Sequence, residues 1–176
     1  MADDTKAAWL NWLAITTIIF SACATLSTFK GGGYSTKAVM AQAKASDQWS
    51  YYQAKSVKQS AYQMQKDALE LQLLTVADST AAQAYRAKIG DYQSQVSRYD
   101  KEKNDIKAGA DSLEASKAVF QKYSATFGLA VVFLQVAIML SAIAALLKKK
   151  YVWILGVGIG VIGLVSFANG FWHFLG

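Results

Sequence analysis

Residues 82–120 read AQAYRAKIGDYQSQVSRYDKEKNDIKAGADSLEASKAVF. Within them Ala82, Tyr85, Ile89, Tyr92, Val96, Tyr99, Lys103, Ile106, Ala110, Leu113, Lys117 and Phe120 recur at alternating steps of three and four. That spacing keeps one stripe of a helix turned toward a single neighbour, the pattern of a heptad seam. Upstream, Ala54, Val57, Ala61, Met64, Ala68 and Leu71 recur at the same steps. The break between the two runs, Val76 to Thr80, is short enough to make the arms antiparallel neighbours. The expectation is an antiparallel coiled-coil hairpin in which small or flexible side chains of the first arm meet aromatic and branched ones of the second. Asp78, Ser79 and Thr80 ahead of Gln83 carry a helix-start signal, because short oxygen-bearing side chains accept from the first free backbone N–H groups. Arms of about 40 residues at about 1.5 Å each give a hairpin on the order of 60 Å long.

Outside the hairpin the charges vanish. Fifty-three per cent of the chain is hydrophobic and seventeen per cent charged, yet residues 7–29 and 124–147 contain no charged side chain, and 151–176 only the ionisable His173. Each run meets the roughly 20 residues a helix needs to cross about 30 Å of hydrocarbon. The fold class that follows is an all-α membrane protein: three transmembrane helices with the hairpin inserted between the first and second. The expected order is an anchor span over 1–30, a glycine hinge over 31–37, the hairpin over 38–122, a second span over 123–147, a basic turn at 148–150 and a third span over 151–176. Between Lys30 and Tyr123, fourteen Lys and Arg face ten Asp and Glu, a surplus of four out of the chain's six. Spread along both arms, that surplus reads as a solvated flank and not as a nucleic-acid site.

The first span carries Trp9 and Trp12, suited to the headgroup boundary, and Thr17, Ser21, Thr25 and Thr28 along one face. Such small and hydroxylated residues allow close helix approach, and Thr17, Ser21 and Thr25 are candidate packing positions; lining a polar pore is the alternative. Gly156 and Gly160 on the third span form a similar four-apart pair. Gly31, Gly32 and Gly33 resist helix, so a tight turn or hinge is expected, or an interruption without a mechanical role. The single Cys23 reads as an apolar packing residue, and His173 as an interfacial one. The N-terminus lacks the basic region and cleavage context of a signal peptide, so the first span reads as a retained anchor.

Residues 43–58, AKASDQWSYYQAKSVK, disturb the seam. Continuing the heptad back from Ala54 brings Ser50 and Asp47 to core positions, with Trp49 and Tyr52 on a neighbouring face. In a hairpin centred near Asp78, Asp47 lies level with 107–110 and Ala54 with Lys103. A polar layer joining Asp47 to a second-arm lysine is expected there, fixing register at some cost in stability.

The run Ser46, Asp47, Gln48, Trp49, Tyr51, Tyr52, Gln53, Ala54, Lys55 and Ser56, with one span before it and a pair after a long helical region, resembles the bacterial family called domain of unknown function 4337. The resemblance extends over essentially the whole chain. It implies a small bacterial membrane protein without an assigned activity, and no catalytic residues carry over. Asp47, Trp49, Tyr52, Gln53 and Lys55 are candidates for a contact segment; covering the hairpin base or meeting lipid headgroups is the alternative role of their aromatics.

The concentrated charge of Lys148, Lys149 and Lys150 assigns their turn to the cytoplasm and the hairpin to the opposite side, the periplasm of a Gram-negative inner membrane. Lys30 and Lys37 argue weakly the other way. No paired carboxylate, activated nucleophile, phosphate loop or metal-ligand cluster stands out, so neither an enzyme nor a cofactor is expected. The expected function is a self-associating scaffold in the bilayer, a homo-oligomer with subunit contacts through Tyr51, Tyr62, Leu69 and Leu73. A channel lined by Thr17, Ser21, Thr25 or Gln135 is the alternative, or an accessory subunit that binds other membrane proteins.

Overall fold

The computed structural model describes residues 2–172, with side chains from Ala8 onward. His173 and the side chains of Asp3, Asp4 and Lys6 lie outside the described residues. Three helices run in chain order: α1 (Ala2–Leu73), α2 (Ser79–Leu147) and α3 (Lys150–Trp172). Among the described residues there is no strand. Two compact units form, one from Met1–Val39 with Lys117–Gly176 and the other from Met40–Ser116.

In the Met40–Ser116 unit the two arms are antiparallel. Contacts pair Lys66 with Gln93, Lys55 with Glu102 and Trp49 with Glu114, so residue numbers fall on α1 as they rise on α2. This is the register expected from a centre near Asp78. At the tip, the Asp78 carboxylate accepts from the Thr80 N–H at 2.9 Å, and the Asp78 carbonyl from the Ala82 N–H at 3.0 Å. Asp78 therefore caps α2.

The α2 stripe faces its neighbour as expected, with every position from Ala82 to Leu113 at least partly shielded and Tyr99 and Ala110 buried. The α1 stripe does not. Val57, Met64 and Leu71 remain 70, 72 and 68% exposed, and Ala54, Ala61 and Ala68 are exposed with them. The face turned to α2 is Tyr52, Lys55, Gln59, Tyr62, Lys66 and Leu69, two residues earlier in each step. Tyr62 stacks on Tyr99 at 5.8 Å and meets Tyr92 at 5.7 Å. An aromatic ring covers far more area than an alanine, and the long polar side chains beside it reach partners on α2, so this face outcompetes the alanine-rich one. Tyr62, Leu69 and Leu73, expected on the outer flank, are thereby partly shielded, while Tyr51 stays exposed.

In the other unit, segments of α1, α2 and α3 pack through glycine hollows. Phe20, Ala24, Leu134 and Ala137 form its apolar centre. A methyl group at Gly160 would strike the Phe20 ring, one at Gly163 would come within 2.8 Å of Leu134 Cγ, and one at Gly170 within 2.7 Å of the Phe127 ring. Trp153 Nε1 ties α3 to α1 by donating to Thr16 Oγ1 at 3.2 Å. Each of the three helices includes a stretch long and apolar enough to cross a membrane.

The turn expected over 31–37 is absent, since these residues continue α1. At Gly31 the reason is visible: the Ser124 hydroxyl donates to its carbonyl at 3.1 Å, and an added Cβ would sit 3.1 Å from Phe127 Cβ. Close approach to α2 uses the missing side chain, and the contact outweighs the weak helix preference of glycine. Between α2 and α3, Lys148 adopts φ 53° while Lys149 N–H donates to Ala144 O at 3.2 Å and Lys148 N–H to Ala145 O at 3.4 Å. This is a Schellman cap with lysine where glycine is usual.

Candidate functional site

The candidate contact segment lies on α1 within the Met40–Ser116 unit, and the structure divides it. Lys55 Nζ reaches Glu102 Oε2 at 2.6 Å, lying 5.1 Å from the Tyr51 ring centre and 5.4 Å from that of Tyr99. Tyr52 receives the Lys103 ammonium over its ring at 5.0 Å. Lys103 in turn donates to Gln59 Oε1 at 2.8 Å, and Gln59 Nε2 donates to Val96 O at 3.3 Å. One helical turn beyond, Trp49 packs edge-on to Tyr52 at 5.6 Å and donates from Nε1 to Glu114 at 2.8 Å.

These contacts build a polar and aromatic layer between the arms. Its charges are set by proximity. The hydrogen bond from Lys55 holds the Glu102 carboxyl below the usual range, and the same contact, helped by Tyr51, pushes the Lys55 ammonium up. Arg98 adds a second cation 3.4 Å from Glu102. Pairing of this kind satisfies the side chains internally and specifies which residues stand opposite one another.

The expected link through Asp47 is replaced. Asp47 is exposed and makes no ion pair among the described residues, because the face turned to α2 is offset from the one its core placement assumed. Gln53 is also exposed. Thus Trp49, Tyr52 and Lys55 are brought together with α2, whereas Asp47 and Gln53 point away. Glu102 and Gln59 carry the layer without having stood out in the sequence, since neither falls on an apolar stripe. Tyr99 and Lys103 occupy the α2 seam, and a lysine among tyrosines at seam spacing is the signal that marks the layer.

Of the candidate packing positions, Gly156 and Gly160 are buried. A methyl group at Gly156 would come within 3.1 Å of Leu140 Cβ and 3.2 Å of Ala137 O, so α3 approaches α2 closely there. Thr17 is half-buried and its hydroxyl donates to Leu13 O at 2.8 Å; Ser21 and Thr25 are exposed, with Thr25 donating to Ser21 O at 2.9 Å. The buried positions of α1 in this unit are Leu13, Phe20, Ala24 and Ser27, a stripe that half-buried Thr17 shares by spacing and Ser21 and Thr25 do not.

The sequence model of the family described as domain of unknown function (DUF4337) matches residues 9–173, nearly the whole chain. The chain belongs to the DUF4337 family. Among curated proteins and among solved structures nothing matches it significantly.

Proposed function

We propose that this chain is a non-enzymatic, self-associating scaffold of the bacterial inner membrane, presenting its helical hairpin on the periplasmic side. The carrying observation is Gln135. It lies midway along the uncharged run 124–147, is exposed, and has no hydrogen-bond partner among the described residues. A carboxamide facing hydrocarbon carries a desolvation cost that a neighbouring helix relieves by hydrogen bonding. A second copy supplies such a helix. Thr17 and Thr25 bond to carbonyls of their own helix, which leaves less reason to read them as a pore lining. The charge of Lys148 to Lys150 supports the assigned sidedness. Dilution of the full-length chain in lipid, followed by single-molecule subunit counting, tests the reading. Gln135→Leu is expected to weaken association by about tenfold, roughly 1.4 kcal/mol. A wild-type chain that is monomeric at high density in the bilayer overturns it.

A further inference from the structure

Two adjoining hollows lie on α1 where its charge-free run ends. One, of about 450 Å³, is lined in part by Thr28, Lys30, Gly32, Gly33 and Lys37. The other, of about 330 Å³, is lined in part by Ser27, Thr28, Gly32, Ser35, Ser124 and Gly128. They share Thr28 and Gly32, so they form one groove. At Gly32 and Gly33 an added Cβ would meet nothing within 4 Å, and the groove is open because these two positions carry no side chain. It lies where the uncharged residues 7–29 end and 124–147 begin, the depth at which a helix crossing hydrocarbon meets headgroups.

One half of the groove is cationic without compensation. Lys30 and Lys37 make no ion pair among the described residues, and their ammonium groups lie over rings instead, 5.7 Å from the centre of Phe171 and 5.5 Å from that of Tyr34. No Asp or Glu occurs in 5–46 or in 115–176, so the flanking chain supplies no anion. The other half offers hydroxyl donors. Those of Thr28 and Ser124 are used, donating to Ala24 O at 2.9 Å and to Gly31 O at 3.1 Å. Ser27 and Ser35 have no partner among the described residues, and Ser27 is fully buried with its Oγ unsatisfied. A buried hydroxyl without an acceptor carries a desolvation cost that an acceptor on a ligand removes.

We propose that this groove binds an anionic phospholipid of the surrounding bilayer. Its phosphate lies between Lys30 and Lys37, its ester carbonyls accept from Ser27 and Ser35, and an acyl chain leaves past Gly128 and Val131 along the apolar run of α2. The two sides match in chemistry. Phosphate oxygens and ester carbonyls accept hydrogen bonds and do not donate, and the groove offers ammonium and hydroxyl donors but no carboxylate. Ser27 lies within the charge-free run, a depth that an ester carbonyl reaches and at which a free phosphate would lose its hydration. The proposal goes beyond the scaffold reading and holds for any number of copies.

The test is native mass spectrometry of the full-length chain in a neutral detergent, titrated with phosphatidylglycerol or with phosphatidylcholine of the same acyl chains. Phosphatidylglycerol is expected to bind about tenfold more tightly. Lys30→Gln combined with Lys37→Gln should remove that preference. Lys149→Gln combined with Lys150→Gln takes the same charge from another exposed site and should keep it. Gly32→Leu retains both lysines, favours the helix and fills the groove, so it should weaken phosphatidylglycerol binding by about tenfold. Equal binding of the two lipids, a preference that survives the changes at Lys30 and Lys37, or one equally lost on changing Lys149 and Lys150 overturns the proposal. Unchanged binding to Gly32→Leu also overturns it, because the lipid would then not occupy the groove. Displacement of the lipid by an equal concentration of glycerol 3-phosphate would make a soluble phosphate ester the occupant, and overturns it as well.

Discussion

Lys55 and Glu102 meet across the two arms at 2.6 Å, with the Tyr51 and Tyr99 rings flanking the ammonium. The contact lies where an apolar seam would place a hydrophobic layer, and it imposes register through charge. Because the pair lowers the Glu102 pKa, its contribution is present above the unfolded carboxyl value and is lost as pH falls through the folded one. Because it raises the Lys55 pKa, the contribution is also lost as pH rises through the folded ammonium value. Thermal stability of the wild-type chain should exceed that of Lys55→Met most between about pH 5 and pH 10. A difference that does not change at either extreme would show that the pair does not contribute to stability.

The three consecutive glycines separate by environment. Gly31 lies against Phe127 and Ser124, while Gly32 and Gly33 face open space on a helix. Gly32→Ala and Gly33→Ala should each stabilise the chain by about 0.5–1 kcal/mol, through helix preference and lost freedom of the unfolded chain. Gly31→Ala should fail to do so. Denaturation of the three variants in one detergent provides the comparison.

Gly163 receives Leu134 so closely that a Cβ would stand 2.8 Å from its Cγ and 3.0 Å from its backbone nitrogen. Backbone cannot yield as a side-chain tip can. Gly163→Ala should therefore destabilise by about 1–3 kcal/mol, and Gly158→Ala, where nothing lies within 4 Å, should not. Thermal melts of both variants check the contrast.

Lys148 holds a left-handed backbone angle, φ 53°, at the cap of α2. Glycine adopts that angle without the Cβ clash, so Lys148→Gly should raise stability by about 1 kcal/mol. Lys148→Val should lower it, since a β-branched side chain tolerates that angle poorly. Chemical denaturation of these two variants measures both.

The three apolar stretches and the antiparallel arms between the first two are legible in the sequence because charge-free runs and heptad steps are long-range signals that single residues do not blur, whereas the continuity of α1 through 31–37 is not. The α2 stripe was legible for the same reason. The α1 arm was not, since it carries two stripes at the same spacing, and hydrophobicity favours Ala54 to Leu71 while aromatic area and ion pairing favour Tyr52 to Leu69. Asp47 was misplaced as a consequence. The helical glycines escaped because intrinsic preference opposes them, and only the partner across Gly31, Ser124 with Phe127, explains the outcome. Phe20 and Phe127 do not stand out in an apolar run, yet they fill the hollows at Gly160 and Gly170.

Self-association is tested most directly by native mass spectrometry of the full-length chain released from lipid nanodiscs. The expected mass is a whole multiple of the single chain, shifted toward the monomer by Gln135→Leu. A wild-type chain released only as a monomer, or only bound to other proteins, would contradict the scaffold.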